Sequence, residues 1–361
     1  MCEINSVDFY RCSTIQGNWF HRANVNLLRV LPFSASLLLL TIGCGSSSGP
    51  KPTVSSPAST IYVVQNDRTT YLSSILELPA NGQGSVTPTA TLTAPTGTDF
   101  YAVAVDTSGN IYVCADDTTS TYPNTINEIL VYAPGATGAA TPIRTIKNIP
   151  SASAIAVDTT GQIYTLNDWE ISVFAAGATG NAVPIRQIAG SMTGIKYAYS
   201  IAVDTGQNIY VANTSASNTV AGNILVFSST ASGNTAPTSV IGGAATEIDA
   251  PWGVTVDAAG DILVASMSEN GTPGDSKMLE FAPGANGNVA PVKTLTAISQ
   301  YATSGIAVDA VGNIYDSLIT YNTSIVSLVV FSPNESGSTA PAQTISSTAW
   351  TGTITGLIAI H

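Results

Sequence analysis

The stretch Ala104-Val105-Asp106-Thr107-Ser108-Gly109-Asn110-Ile111-Tyr112-Val113 decides the fold, because close relatives of it return four more times along the chain. The copies place aspartates at 158, 204, 257 and 309, so that successive repeat aspartates from Asp106 onward lie 52, 46, 53 and 52 residues apart. In each copy, segments of alternating apolar residues lie on both sides of an Asp-x-x-Gly turn. Aspartate caps such a turn, glycine supplies a positive φ, and β-branched and aromatic residues favour strands. Each copy therefore predicts a β-hairpin.

The interval between the copies predicts the architecture. A period of roughly 40 to 50 residues with several short strands is typical of β-propellers, and the 3.6-residue periodicity of helical repeats is absent. A second pattern has the same period: glycine lies four residues, and an aromatic residue ten residues, before each of Pro142, Pro184, Pro237, Pro291 and Pro341. Leu78, Gly84 and Pro88 form a sixth copy, with leucine in place of the aromatic residue. Because proline is tolerated at the first residue of an edge strand, we expect these prolines to open the outermost strand of each blade.

The two ends of the repeat region complement each other. Ile358-Ala359-Ile360-His361 aligns with the innermost strand that precedes Asp309, and nothing follows it in the sequence. Ile61-Tyr62-Val63-Val64 aligns with the second strand of the repeat and lacks an innermost strand before it. We therefore expect an all-β, six-bladed β-propeller of four-stranded antiparallel blades, closed by pairing of the C-terminal strand with the N-terminal blade, which removes exposed strand edges.

The amino-terminal residues predict export and a lipid anchor. Residues 30–43 form an apolar run of about 14 residues, which matches a signal-peptide core and is too short to span a bilayer. Ile42-Gly43-Cys44, followed by a Ser/Gly/Pro-rich segment, resembles a bacterial lipoprotein signal in which the cysteine is lipidated. An ordinary secretory signal that happens to contain Cys44 is the alternative. We expect a leader over 1–43, a tether over 44–59 and the propeller over 60–361, located extracytoplasmically in the bacterial cell envelope.

The net charge and the positions of the cysteines restrict which binding partners and which disulfide bonds we expect. The formal net charge is −12 and only 9% of the residues are charged. Nucleic-acid and electrostatic membrane binding both need basic clusters, so we expect no nucleic-acid partner and membrane attachment through the lipid alone. Of the four cysteines, Cys2, Cys12 and Cys44 lie at or before residue 44, which leaves Cys114 without an intramolecular disulfide partner in the propeller. We expect a monomer.

The repeat Ile-Ala-Val-Asp-x-x-Gly-Asn-Ile-Tyr-Val, followed by Ile-Leu-Val-Phe, resembles the NHL-type repeat of six-bladed propellers over essentially all of 60–361. The resemblance implies the fold, and it implies a superfamily of peptide- and protein-binding platforms that also includes metal-dependent lactonases and lyases. The sequence departs from the family pattern where an aspartate usually follows the second strand, since it has Gln65, Ala115, Asn167, Asn213, Ser266 and Leu318 there. It also lacks the Asn-His-Arg that usually precedes the third strand.

Three aromatic residues are the candidate ligand contacts. Tyr101, Tyr199 and Trp252 each lie five residues before a repeat aspartate, where Ser153 and Ser304 occupy the same position in other blades and Gly356 in the closing strand. Loops that enter the innermost strands form one face of a propeller. Aromatic rings there could stack on a sugar or an extended peptide. The alternative is that these rings only pack neighbouring blades together.

Catalytic and metal chemistry have weaker support. The two histidines are His21 in the leader and the terminal His361, which leaves no general base of that type inside the ring. The recurrence of the repeat aspartates marks them as structural. Asn167 and Asn213, which are further candidate ligand contacts, could join Asp116, Asp117, Asp168 and Asp316 as oxygen ligands of Ca²⁺, but solvated loop carboxylates are the simpler interpretation. We predict no other cofactor, no metal site and no catalytic residue.

The sequence favours a binding or scaffold module for a protein, peptide or glycan; the alternative is a divalent-metal-dependent lactonase or lyase.

Overall fold

The structure is a computed structural model that describes residues 59–67, 72–117, 126–214, 221–268, 276–296, 301–320, 326–347, 349–350 and 353–361. The predictions for residues 1–58, including the signal peptide, lipidation of Cys44 and most of the tether, lie outside the described residues. Among the residues described, no helix has the length and apolar character needed to cross a membrane.

Six antiparallel sheets of four strands form the predicted propeller. Blade 1 contains β25 (Thr353–Ile360), β1 (Thr60–Asp67), β2 (Leu72–Pro79) and β4 (Ala90–Thr93). Blade 2 contains β5 (Thr98–Val105), β6 (Ile111–Asp117), β7 (Ile126–Tyr132) and β8 (Arg144–Lys147). Blade 3 contains β9 (Ala154–Val157), β10 (Ile163–Leu166), β11 (Glu170–Phe174) and β12 (Arg186–Ala189).

The remaining blades continue the same order from the innermost strand outward. Blade 4 contains β13 (Ala198–Val203), β14 (Ile209–Asn213), β15 (Asn223–Phe227) and β16 (Ser239–Ile241). Blade 5 contains β17 (Ala250–Val256), β18 (Ile262–Met267), β19 (Lys277–Phe281) and β20 (Lys293–Thr296). Blade 6 contains β21 (Tyr301–Val308), β22 (Ile314–Thr320), β23 (Val326–Phe331) and β24 (Gln343–Ser347). A 3-10 helix at Ala244–Thr246 connects blades 4 and 5.

The repeat aspartate organises each inner hairpin turn, as the sequence predicts. Oδ1 of Asp106 accepts hydrogen bonds from the amides of Ser108 and Asn110, both at 2.9 Å. Its Oδ2 accepts from Asn110 Nδ2 at 2.8 Å and from the Tyr112 hydroxyl at 3.1 Å. The same tyrosine contact recurs in blades 3, 4 and 6. In blade 4 the left-handed position of the turn is taken by Gln207 (φ 63°) rather than by a glycine, which corrects the Asp-x-x-Gly expectation there.

The ring closes inside blade 1, which confirms the predicted role of the C-terminal strand. β25 pairs antiparallel with β1, and Ile360 lies opposite Ile61. The amide of Thr60 donates to the carbonyl of His361 at 2.8 Å, and the amide of His361 donates back to the carbonyl of Thr60 at 3.1 Å. Buried apolar side chains form six clusters among the described residues, and each cluster is shared by two neighbouring blades. The packing between blades 6 and 1 therefore matches that at the other junctions.

A second set of contacts joins the blades at the outer rim. A glycine in the loop before each outermost strand pairs in parallel with the outermost strand of the preceding blade; these glycines are Gly138, Gly180, Gly233, Gly287 and Gly337. Gly138, for example, donates to the carbonyl of Thr91 at 2.7 Å and accepts from the amide of Thr93 at 2.8 Å. At the last junction, β3 (Gly84–Val86) pairs in parallel with β24. The repeat glycines therefore form interblade contacts that the sequence analysis did not predict.

The repeat prolines lie slightly outside the strands that they were expected to open. Pro142 precedes the first residue of β8 by two positions, and the same offset holds in the other blades. The residue after the proline makes the first bond to the third strand, as when the amide of Ile143 donates to the carbonyl of Val131 at 2.8 Å. Proline has no amide hydrogen, so the ladder begins one residue later.

Candidate functional site

The innermost strands carry the three candidate aromatic residues on β-bulges. Register between the innermost and second strands shifts at Tyr101, Tyr199 and Trp252, and also at Ser304. A bulge adds one residue to one strand and redirects its side chain. All four lie on the side of the ring where innermost strands begin and second strands end. We call this side the loop face; the opposite side carries the aspartate turns.

Two of the three candidates are in direct contact. The rings of Tyr199 in blade 4 and Trp252 in blade 5 stack with centroids 4.8 Å apart and planes 3° from parallel. Tyr199 remains 37% exposed, whereas Trp252 is half-buried. The pair therefore packs neighbouring blades together, as the alternative interpretation expects, and Tyr199 also remains partly exposed to solvent. Burial is the main cause that raises the pKa of Tyr199, and the nearby charge of Asp168 adds to it.

Tyr101 belongs to a separate group of side chains in blade 2. Its hydroxyl donates a hydrogen bond to the carboxylate of Asp116. Burial, with added repulsion from Asp116 and Asp99, raises the pKa of Tyr101 to about 12. Burial also raises the pKa of Asp116, although the hydrogen bond from Tyr101 opposes the shift. Blade 3 lies between Tyr101 and Tyr199, and at the equivalent position there Ser153 donates to the carbonyl of Leu166. The three aromatic residues do not form one continuous group.

Asn167 and Asn213 hold loops of this face in place. Oδ1 of Asn167 accepts from the amides of Trp169 and Glu170, both at 2.9 Å. Asn213 is buried; its Oδ1 accepts from the amide of Lys196 at 2.6 Å and its Nδ2 donates to Asn223 at 3.1 Å. Each of these side chains thus accepts at least one hydrogen bond from a backbone amide of a loop and holds that loop in place. The prediction that they contact a ligand remains a prediction.

The two loops held by these amides present aromatic residues that the sequence analysis missed. Trp169 and Tyr197 contact each other with centroids 5.2 Å apart and planes 59° from each other. Trp169 is 52% exposed and Tyr197 is 37% exposed. A tryptophan in the short turn between β10 and β11, directly after Asn167 and Asp168, was the available signal, because such turns lie at the surface.

The central channel has a different chemical character. It has a volume of about 220 Å³ and is lined by the innermost strands of all six blades. Its described lining side chains are alanine, valine and isoleucine, together with Ser200 and Thr255. Within the described residues, no group of three or more His, Cys, Asp or Glu side chains is placed to hold a metal ion. Asp316, expected near a strand end, is fully buried at the third position of β22, opposite Ile306.

Comparisons with known proteins support the fold. No family model and no curated protein match the chain. A crystal structure of a protein of unknown function from Bacteroides caccae is 11% identical, has a TM-score of 0.56, and the match covers 84% of this chain and 99% of that chain. A Bacteroides uniformis protein provisionally assigned as a 6-phosphogluconolactonase is 13% identical, with a TM-score of 0.49 over 78% of this chain and 81% of that chain. A quinoprotein alcohol dehydrogenase-like protein of Bacteroides thetaiotaomicron is 12% identical and has a TM-score of 0.41. The match covers 80% of this chain and 63% of that chain. At 11% identity the likeness to the Bacteroides caccae protein concerns the fold alone.

Proposed function

We propose that this chain is a lipid-anchored, extracytoplasmic binding module of the NHL type, and that it binds its ligand at the loop face. The observation that carries the proposal is the stacked pair of Tyr199 and Trp252, which joins two blades and leaves Tyr199 37% exposed. Aromatic side chains give a large and rigid contact area at low cost in conformational entropy, and they dominate the energetics of binding surfaces. A propeller provides a rigid frame for such a surface.

The neighbouring residues support a binding role for this face. Trp169 and Tyr197 add two further exposed rings, and both lie on loops that internal hydrogen bonds hold in place. A preorganised surface loses little conformational entropy when it binds. The metal-dependent lactonase or lyase alternative requires oxygen ligands that converge near the channel, whereas the described channel lining is aliphatic apart from two hydroxyls. The aromatic surface therefore favours binding over that alternative.

Ligand binding can be tested with peptide and glycan arrays probed with the purified protein. We expect a specific ligand whose affinity falls by about 2 kcal/mol or more in Tyr199→Ala, the usual threshold for a dominant contact. Ile143→Ala is the matched control, because Ile143 is 54% exposed but lies beside the outermost strand of blade 2. Equal losses in the two variants, or binding that neither affects, would place the ligand elsewhere. Metal analysis and hydrolysis of lactone substrates by the same preparation would favour the enzyme alternative.

The anchor needs its own test. Cys44→Ser removes the proposed lipid acceptor, and the formal net charge of −12 gives the chain no electrostatic attraction to an anionic bilayer. We expect the variant to move from the membrane to the soluble extracytoplasmic fraction, with Cys12→Ser as the control that leaves fractionation unchanged. Membrane association that survives Cys44→Ser would refute the lipoprotein assignment.

A further inference from the structure

We propose that the loop face of blades 3 and 4 carries a platform for a neutral oligosaccharide, on which one sugar ring contacts Trp169 and Tyr197 and a neighbouring sugar ring stacks on Tyr199. The inference rests on the proposed binding function and names its ligand class. We call these three residues the aromatic platform.

The platform is continuous across two blades. Trp169 lies in the turn between β10 and β11 of blade 3, and Tyr197 and Tyr199 lie at the start of the innermost strand of blade 4. The rings of Trp169 and Tyr197 are in contact. Tyr199 lies two residues after Tyr197, which keeps it next to the contact with Trp169, and the charge of Asp168 adds to burial in raising the pKa of Tyr199. The three rings and one carboxylate thus occupy one region of the surface.

The backbone at the platform is held in an uncommon conformation. Tyr197 has a φ of 51°, in the left-handed region that bulky side chains rarely adopt. The amide of Lys196 is bound by buried Asn213, and the amide of Thr214 donates to the carbonyl of Tyr197 at 3.3 Å. Such conformations persist where surrounding contacts enforce them, and they concentrate at functional sites. Here the conformation accompanies contact between the Tyr197 ring and Trp169.

The chemistry of the exposed groups selects the ligand class. Each platform residue is at least 37% exposed, whereas the amide of Trp169 and the carbonyl of Tyr197 already have partners within the protein. A peptide that binds by adding a strand gains its affinity from main-chain hydrogen bonds, which these backbone groups do not offer. A sugar ring instead presents a face of C–H groups that complements the negative face of an aromatic ring.

The charge beside the aromatic platform restricts the class of ligand further. Asp168 is exposed beside the platform, so its carboxylate disfavours an anionic ligand and can accept hydrogen bonds from sugar hydroxyls. A cationic ligand would also be attracted, but cation–π binding becomes strong only where rings enclose and desolvate the cation. Trp169 is 52% exposed and Tyr197 is 37% exposed, which gives an open surface rather than a cage. A neutral ligand with two stacking units fits this surface best.

The experiment titrates the purified full chain with neutral hexasaccharides of β-1,4-glucose, α-1,4-glucose, β-1,4-xylose and β-1,4-N-acetylglucosamine, and with their monosaccharides. Intrinsic tryptophan fluorescence reports binding, because Trp169 is one of only four tryptophans. We expect at least one hexasaccharide to bind about tenfold or more tightly than its monosaccharide, because only the longer ligand can make the second stacking contact; tenfold corresponds to about 1.4 kcal/mol.

Variants locate the site. We expect Trp169→Ala and Tyr199→Ala each to weaken that hexasaccharide about tenfold or more, Trp169→Phe to restore part of the loss, and Ile143→Ala to change nothing. Calorimetry replaces fluorescence for the tryptophan variants. Melting curves of Trp169→Ala should stay close to those of the parent protein, because the side chain is 52% exposed. Undiminished hexasaccharide binding by Trp169→Ala overturns the inference.

Other ligands separate this inference from the proposed function. Choline that binds more tightly than every hexasaccharide, with binding lost in Asp168→Asn, would overturn the glycan class and leave a binding function at the same face. An arrayed peptide that binds and is sensitive to Tyr199→Ala, while no hexasaccharide binds at millimolar concentration, would have the same consequence. Absence of binding to all of these probes would overturn both.

Discussion

Tyr199 and Trp252 stack in parallel across the junction of blades 4 and 5, with ring centroids 4.8 Å apart. Both residues lie on β-bulges, so the same local irregularity redirects two aromatic side chains in neighbouring blades toward each other. The contact combines a structural and a binding role, because it fixes Trp252 beneath a ring that stays 37% exposed. The two roles make different experimental predictions.

The contribution of the Tyr199–Trp252 stack to the free energy of unfolding can be measured with a double-mutant cycle. We expect Trp252→Ala to lower the free energy of unfolding by about 1 to 2 kcal/mol, since the ring is half-buried and loses one stacking partner. The coupling energy between Trp252→Ala and Tyr199→Ala should be about 0.5 to 1.5 kcal/mol in urea denaturation. A loss of roughly 3 to 5 kcal/mol for Trp252→Ala would instead indicate a core residue and assign the pair a purely structural role.

The pairing that closes the ring includes two backbone hydrogen bonds of His361. Removal of His361 deletes the two backbone hydrogen bonds with Thr60, and we expect a loss of about 1 to 3 kcal/mol in the free energy of unfolding. His361→Ala is the matched control, because it keeps both bonds and should unfold like the parent protein. If the two variants behave alike, closure does not depend on these bonds. Deletion of 354–361 should destabilise the ring further, because it removes most of β25.

The turn of blade 5 lacks a bond that three other blades have. Asn110, Asn208 and Asn313 donate from their side-chain amides to the repeat aspartate, whereas blade 5 has Asp261 at that position. We expect Asp261→Asn to raise the free energy of unfolding by about 1 kcal/mol at neutral pH, because it adds this bond to Asp257 and removes a like charge. The reciprocal variant Asn208→Asp should be destabilised.

The gain in Asp261→Asn should also depend on pH. Burial, followed by the charge of Asp257, raises the pKa of Asp261 in the folded protein. A carboxyl with a raised folded pKa favours folding below its unfolded pKa, and this contribution is lost as pH rises through the folded value. The difference between variant and parent should therefore be small in acid and grow toward neutral pH. A gain that is constant from acid to neutral pH would contradict this electrostatic explanation.

Two equivalent glutamates should respond oppositely to neutralisation. Glu77 in β2 is buried opposite Ala90, and burial raises its pKa; Glu280 in β19 forms an ion pair with Lys293 on the facing strand. We expect Glu77→Gln to stabilise the protein by on the order of 1 kcal/mol at neutral pH, with the gain lost in acid as Glu77 becomes protonated. Glu280→Gln should destabilise it in the same denaturant titration. Destabilisation by Glu77→Gln would indicate that the charge has a favourable partner.

The sequence by itself determined the architecture, because repetition makes local patterns redundant. Five hairpin copies around the repeat aspartates, a second pattern ending in proline and complementary ends of the repeat region predict the six blades and the closure that the structure has. The sequence also predicted the structural role of the repeat aspartates. A side chain that caps its own turn has its hydrogen-bond partners within six residues along the chain, so a local pattern is enough to reveal it.

Only the tertiary structure decided which aromatic residues lie together. Tyr101 and Tyr199 occupy equivalent sequence positions, yet one hydroxyl is bound by Asp116 while the other ring stacks on Trp252. Trp169 contacts Tyr197 across a blade junction, 28 residues along the chain, through loops of irregular conformation. Sequence periodicity specifies what each residue does within its own hairpin. Contacts between blades depend on how bulges and left-handed residues redirect side chains after the ring has closed, and no local pattern encodes that geometry.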